Sequence, residues 1–207
     1  AAFQGQSELA LGNVIGSNIF NILMILGVTT LISPITMSKD NRVKDIPLNI
    51  LVTGGLMLIW LIHSVLGVGA NEISRIEGGI MLAAFAFYLW MMFRSGNGAE
   101  ETQQEEETKT FPNWLSVLMI LGGLGGLIIG GRFFVNSATA IAQYLNLSEK
   151  FIAITIMAAG TSLPELAASL AAAVKKNTQL ALGNIVGSNI FNITLILGLS
   201  SKVMPLT

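Results

Sequence analysis

The sequence contains no cysteine and a single histidine, His63. The first absence removes disulfides, thiolate metal sites and cysteine nucleophiles. The second removes any histidine-built metal centre. Charge is scarce as well. Asp, Glu, Lys and Arg make up 11% of the 207 residues, where a soluble domain carries about 25%. The net charge of −1 supplies no basic field, so nucleic acid is not expected as a partner. Apolar residues fill the space, at 52% of the chain and a mean hydropathy of +0.69. This balance points to an integral membrane protein in contact with a lipid bilayer.

A spanning helix needs roughly 20 mostly apolar residues. Six stretches qualify: Leu9–Ser33, Pro47–His63, Ile76–Phe93, Trp114–Asn136, Phe151–Val174 and Gln179–Ser200. None alternates as a barrel strand would. The fold class expected is therefore an all-α membrane protein, a multi-span helical bundle, since lipid leaves open backbone groups unsatisfied. Between the third and fourth spans runs "RSGNGAEETQQEEETKTFPN", with Glu100, Glu101, Glu105, Glu106 and Glu107. It reads as a solvated acidic linker over residues 95–113. A cation-binding regulatory loop is the sharper alternative. Lys39, Arg42, Lys44, Arg94, Lys109, Lys175 and Lys176 fall on the linker's side, against Arg75, Arg132, Lys150 and Lys202 on the other. That bias places the linker in the cytoplasm and the protein in the cell membrane as a multi-pass protein.

One phrase is written twice. "LALGNVIGSNIFN" begins at Leu9 and "LALGNIVGSNIFN" at Leu180, and 17 of 29 positions agree between Glu8–Thr36 and Gln179–Thr207. Two unrelated apolar helices would share Leu and Ile, not Asn and Gly. The offset of 171 residues is far too long for a solenoid repeat, so it marks two halves of one fold. Five crossings separate the copies, an odd number, so they traverse the membrane in opposite directions. Such inverted repeats build many secondary transporters, with the site at the midplane where they meet. Residues 1–94 then form the latter part of one half, with three spans. Residues 114–207 form the first part of the other, also with three. Symmetry predicts six of about ten spans here, with partners for the rest expected before Ala1 and after Thr207.

The polar groups that lipid would exclude are concentrated in two motifs. "GTSLPE" puts Glu165 within an apolar span, where a charge costs about 2.5–3.5 kcal/mol and is kept for a partner or a pathway. Pro164 lacks an N–H and clashes with the carbonyl of Gly160, freeing backbone oxygen beside the Thr161 and Ser162 hydroxyls. Hard cations such as Ca²⁺ and Na⁺ take oxygen ligands. A structural proline kink with a protonated Glu is the plainer reading. In "GNIVGSNIFN", Asn184, Ser188 and Asn192 lie at i, i+4 and i+8 on one helix face, as Asn13, Ser17 and Asn21 do in the other copy. Such a stripe serves as interhelical glue or as ligands, and its duplication beside a buried Glu favours ligands. Asn18 and Asn189 point about 100° away and read as structural amides. Gly12, Gly16, Gly183 and Gly187 would let a neighbouring backbone approach, and Gly122, Gly126 and Gly130 would form a close-packing face. No nucleophile–base pair is visible, so an enzyme is not expected.

These two motifs resemble the cation/calcium antiporter superfamily, in its sodium/calcium exchanger branch. "GTSLPE" followed by "GNIVGSNIFN" is similar to that family's second alpha repeat, and "GNVIGSNIFN" to the latter part of its first. The resemblance implies ten helices in two inverted halves and alternating access driven by a sodium gradient, with no cofactor. The transported ions would be calcium and sodium. Carried over by position, Glu165 would be one of two central carboxylates. Thr161 and Ser162 would add hydroxyl or backbone oxygens, and Ser188, Asn192, Ser17 and Asn21 would complete the ring. Family members often carry Asp where Asn192 stands. Antiport of another cation, proton coupling and a non-transporting scaffold are the alternatives.

Overall fold

The computed structural model describes residues 7–37, 39, 41–66, 72–95 and 111–206. Most of the expected linker, 96–110, lies outside them. Among the described residues seven helical elements follow in order. Helix α1 runs from Ser7–Phe20 through a π-helical turn, Asn21–Ile25, into Leu26–Ile32. Helix α2 comprises Asn41–Asp45, again π-helical, and Ile46–Leu66; α3 is Arg75–Ser95 and α4 is Asn113–Tyr144. Helix α5 joins Glu149–Ile152, the π-turn Ala153–Met157 and Ala158–Thr161; α6 is Leu163–Val174. Helix α7 runs Thr178–Phe191, Asn192–Leu197 as a π-turn, then Gly198–Val203.

By length and composition α1, α2, α3, α4 and α7 can each cross a membrane, and the bent pair α5–α6 is apolar enough to make a sixth if the two act as one broken span. The protein is therefore an all-helical, multi-pass membrane bundle. Each expected apolar run is helical, with three differences, the first being that α2 begins at Asn41, ahead of the expected Pro47. Helix α4 continues to Tyr144, past the expected end at Asn136. The residues Ser137–Ala140 are too polar to extend an apolar run, yet nothing in them stops a helix. The span expected at Phe151–Val174 is two helices.

Helix ends are closed by local chemistry. Asn177 caps α7 by accepting the Leu180 N–H at 3.0 Å. Asn146 and Lys176 take φ of 56° and 58°. The Leu147 and Asn177 amides there reach back to the Ala142 and Ala172 carbonyls, the Schellman closure. At α3, Ser74 and Glu77 form a reciprocal capping box. Glu77 accepts from Ser74 N at 2.7 Å, and Ser74 Oγ accepts from Glu77 N at 3.3 Å. Glu77 Oε1 also lies 3.3 Å from His63 Nε2 at the end of α2.

Burial identifies the central element. Half of α7's apolar window is inside the protein, against 6% for α4 and none for α2. The side chains that α2 and α4 turn outward, such as Leu51, Trp60, Ile120 and Phe133, form an apolar surface suited to lipid. Helix α7 packs Leu182, Val186 and Ile190 around Tyr88 of α3. Farther along, Gly198 meets Gly78 of α3 so closely that a Cβ on Gly78 would strike Ser201. Helix α1 lies on α5 through Gly16, where a Cβ would strike the Ile154 carbonyl and Ala158.

The other expected glycine contacts differ. A Cβ on Gly183 would meet nothing within 4 Å, and one on Gly187 only the Tyr88 hydroxyl at 3.6 Å. Gly122, Gly126 and Gly130 face no described neighbour either. Helix α4 instead touches the break through Gly131 and Val135, which lie against Gly160. A glycine stripe permits close approach but does not supply the partner.

Candidate functional site

The break between α5 and α6 positions the site. Pro164 cannot donate to the turn before it, so it sits in the first turn of a new helix. The two helices meet at 54°. Ser162 at the corner takes φ −94° and ψ 5°, and its N–H reaches the Ala158 and Ala159 carbonyls at 3.1 and 3.2 Å. This tightened turn brings Glu165 into the first turn of α6, where the helix dipole favours negative charge. The Gly160 carbonyl lies close to Gly131 on α4, where an added Cβ would come within 3.4 Å of it. Ala158 supplies a carbonyl beside Ser17 and Thr161.

Helix α1 faces the break with Asn13 and Ser17, one turn apart. Ser17 Oγ lies 3.0 Å from Thr161 Oγ1 and 3.4 Å from the Ala158 carbonyl. Thr161 Oγ1 also reaches Asn13 Oδ1 at 3.3 Å and Ala158 O at 3.0 Å. Each hydroxyl has one proton to share among these acceptors, so lone pairs remain available. Helix α7 closes the other side. Asn184 Nδ2 donates to the Glu165 carbonyl at 3.2 Å and to Ser169 Oγ at 2.9 Å, clamping α6 beside α7.

Two amide bonds cross between the repeats. Asn192 Nδ2 donates to Asn18 Oδ1 at 3.0 Å, and Asn21 Nδ2 donates to Asn189 Oδ1 at 2.9 Å. Shifting either pair by 171 positions gives the other, so the bonds obey the repeat's two-fold relation. Both donating asparagines open a π-turn, at Asn21 and at Asn192. Such turns loosen the helical ladder and recur at functional sites.

Between these elements lies a cavity of about 200 Å³, lined by Asn13, Ser17, Thr161, Ser162, Glu165 and Asn192, with Val14 and Ile196. Glu165 Oε2 is buried without a hydrogen-bond partner. Leaving a buried acceptor unmade costs about 1–3 kcal/mol, and more for a charged group. A cation would offset that cost, and the remaining wall offers hydroxyl and amide oxygens of the kind that hold hard cations. The volume exceeds that of one ion, since a water claims about 30 Å³. Among the described residues no group of three or more His, Cys, Asp or Glu gathers to hold a metal. Glu165 is the one carboxylate in the lining.

The structure brings together five of the residues expected at the site: Glu165, Thr161, Ser162, Ser17 and Asn192. Asn21 and Ser188 lie outside this lining. Asn21 is buried against Asn189, its Oδ1 without a partner, and Ser188 is half-buried along α7. Asn13, which shares the polar stripe with Ser17 and Asn21 but was not among the residues the resemblance carried over, also lines the cavity. Its signal was the i, i+4 spacing to Ser17.

Comparison with known proteins decides the family. The chain matches the sodium/calcium exchanger protein family over residues 1–94 and 115–207. The chain belongs to that family. Among members of the exchanger family and its neighbours, the putative antiporter CaxA of Alkalimonas amylolytica is 38% identical over 99% of this chain and 64% of its own length. The sodium/calcium exchanger MaX1 of Methanosarcina acetivorans is 28% identical over all of this chain and 68% of that protein. The solved structure of the sodium-calcium exchanger NCX_Mj superposes with a TM-score of 0.75 at 34% identity, covering all of this chain and 65% of that one. These relatives are named for transport and not for an enzymatic reaction. The chain spans a little under two thirds of CaxA and of NCX_Mj.

Proposed function

We propose that this protein is a secondary active transporter that exchanges sodium for calcium across a membrane by alternating access. The observation that carries the reading is the unpartnered Glu165 Oε2 in a cavity otherwise walled by neutral oxygens. Calcium would take Glu165 together with oxygens of Asn192, Ser17, Thr161 and Ser162, and sodium ions would occupy overlapping positions. Competition for shared ligands couples the two ions. An empty site keeps an uncompensated buried charge, which opposes the switch between access states. The bend between α5 and α6 and the π-turns of α1 and α7 are where these helices can rearrange. Asn13 sits one turn from Ser17 and extends the oxygen wall.

Proton coupling is the second reading. It is favoured by Glu165 being the one titratable group in the lining, since a lone carboxyl can carry a proton as well as face a cation. The excess of Lys39, Arg42, Lys44, Arg94, Lys109, Lys175 and Lys176 on one side supports a cell-membrane protein with that side in the cytoplasm. Calcium release from loaded proteoliposomes tests the assignment. External sodium should drive it and an imposed proton gradient should not. Release by the proton gradient alone would replace sodium with protons, and release by neither would remove exchange altogether.

A further inference from the structure

An asparagine amide has two unlike ends. Its oxygen can ligate a cation and its NH₂ cannot. A cavity-lining asparagine is therefore useful only if something commits the NH₂ elsewhere. For Asn192 that group is Asn18 of the opposite repeat, whose Oδ1 accepts Asn192 Nδ2 at 3.0 Å. Asn18 is itself fixed, because its own Nδ2 donates to the Asn189 backbone carbonyl at 3.2 Å. Turning the Asn18 amide over would set its NH₂ against that of Asn192 and break the second bond. Asn189 does the same for Asn21, accepting its Nδ2 at 2.9 Å and leaving Asn21 Oδ1 unpaired. Neither Asn18 nor Asn189 lines the oxygen-walled cavity. Both face the apolar cavity of about 370 Å³ on the far side of α1.

We propose that Asn18 is a positioning residue, holding the amide of Asn192 on the opposite repeat with its oxygen free for a cation, while Asn189 fixes Asn21 by the equivalent bond outside the cavity. This rests on the reading of the cavity as a cation site. It adds that the first half of the fold orients a ligand belonging to the second. Binding in one half is then linked to how the two repeats are crossed.

The test compares Asn18→Leu, Asn18→Asp, Asn192→Ala and the double variant Asn18→Leu/Asn192→Ala. Calcium-dependent stabilisation in detergent and calcium KM in proteoliposomes are read for each. Asn18→Leu should raise the half-saturating calcium about tenfold, the size of one hydrogen bond to a charged site lost, with maximal rate nearly unchanged. Asn18→Asp keeps the acceptor for Asn192 but sets a carboxyl oxygen against the Asn189 carbonyl in place of the donor. It should keep calcium affinity near wild type while lowering the thermal midpoint. The double variant should match Asn192→Ala, because Asn18 acts through Asn192. Wild-type affinity in Asn18→Leu, or effects that multiply in the double variant, would overturn the proposal. Calcium binding without sodium-driven flux in the wild type would instead remove the exchange reading and leave positioning to be judged on binding.

Discussion

Ser17 of α1 and Thr161 of α5 place their hydroxyl oxygens 3.0 Å apart across 144 positions of sequence. Gly16, the residue before Ser17, makes that approach possible, since any side chain there would strike the backbone of α5. Packing and site are thus built by neighbouring residues of one phrase, and the two can be perturbed separately.

Gly16→Ala should destabilise by about 1–3 kcal/mol, the cost of overpacking against a backbone that cannot retreat. Its repeat partner Gly187, with only the Tyr88 hydroxyl at 3.6 Å, should accept alanine within about 1 kcal/mol. Thermal midpoints of the two variants check the contrast. Equal losses would mean that the repeats are packed alike.

Ser17→Ala should raise the calcium needed for half-maximal stabilisation roughly three- to tenfold, through loss of one oxygen and of the Thr161 contact. Ser188→Ala, outside the lining, should change it less than about twofold. Titration of both variants separates them. A larger effect at Ser188 would move the site along α7.

Asn184→Leu should lower the thermal midpoint, because Glu165 O and Ser169 Oγ lose their shared donor. The expected cost is about 0.6–1.7 kcal/mol, as for other interhelical bonds in membranes. No loss would mean that α6 is held against α7 by packing alone.

The α3 capping box gives a graded pair. Glu77→Gln keeps an acceptor for Ser74 and loses the charge facing His63, so it should cost less than Glu77→Ala. The latter should lose about 1 kcal/mol. Chemical denaturation of the two variants measures the difference. Equal effects would show that the charge, and not the cap, carries the contact.

Much of this arrangement was legible in the sequence, for identifiable reasons. Apolar length marks a span whatever its neighbours, so α1, α2, α3 and α7 stand close to where hydropathy puts them. Pro164 marks a break because it lacks an N–H anywhere it occurs. The doubled phrase carries symmetry, and symmetry places Asn21 and Asn192 at equivalent points. Other features depend on partners that the local sequence does not name. Gly16 and Gly187 are spelled alike, yet only one meets a backbone. The π-turns at Asn21 and Asn192 have no compositional mark. The close approach of Gly160 to α4 depends on Gly131, 29 positions earlier.

The measurement closest to the central claim is sodium-driven calcium flux by Glu165→Gln in proteoliposomes. The amide keeps the shape of the side chain and removes its charge. Flux should be lost while the protein stays folded, with a thermal midpoint in detergent at or above that of the wild type. Flux equal to the wild type from the folded variant would contradict a role for Glu165 as the charged cation ligand.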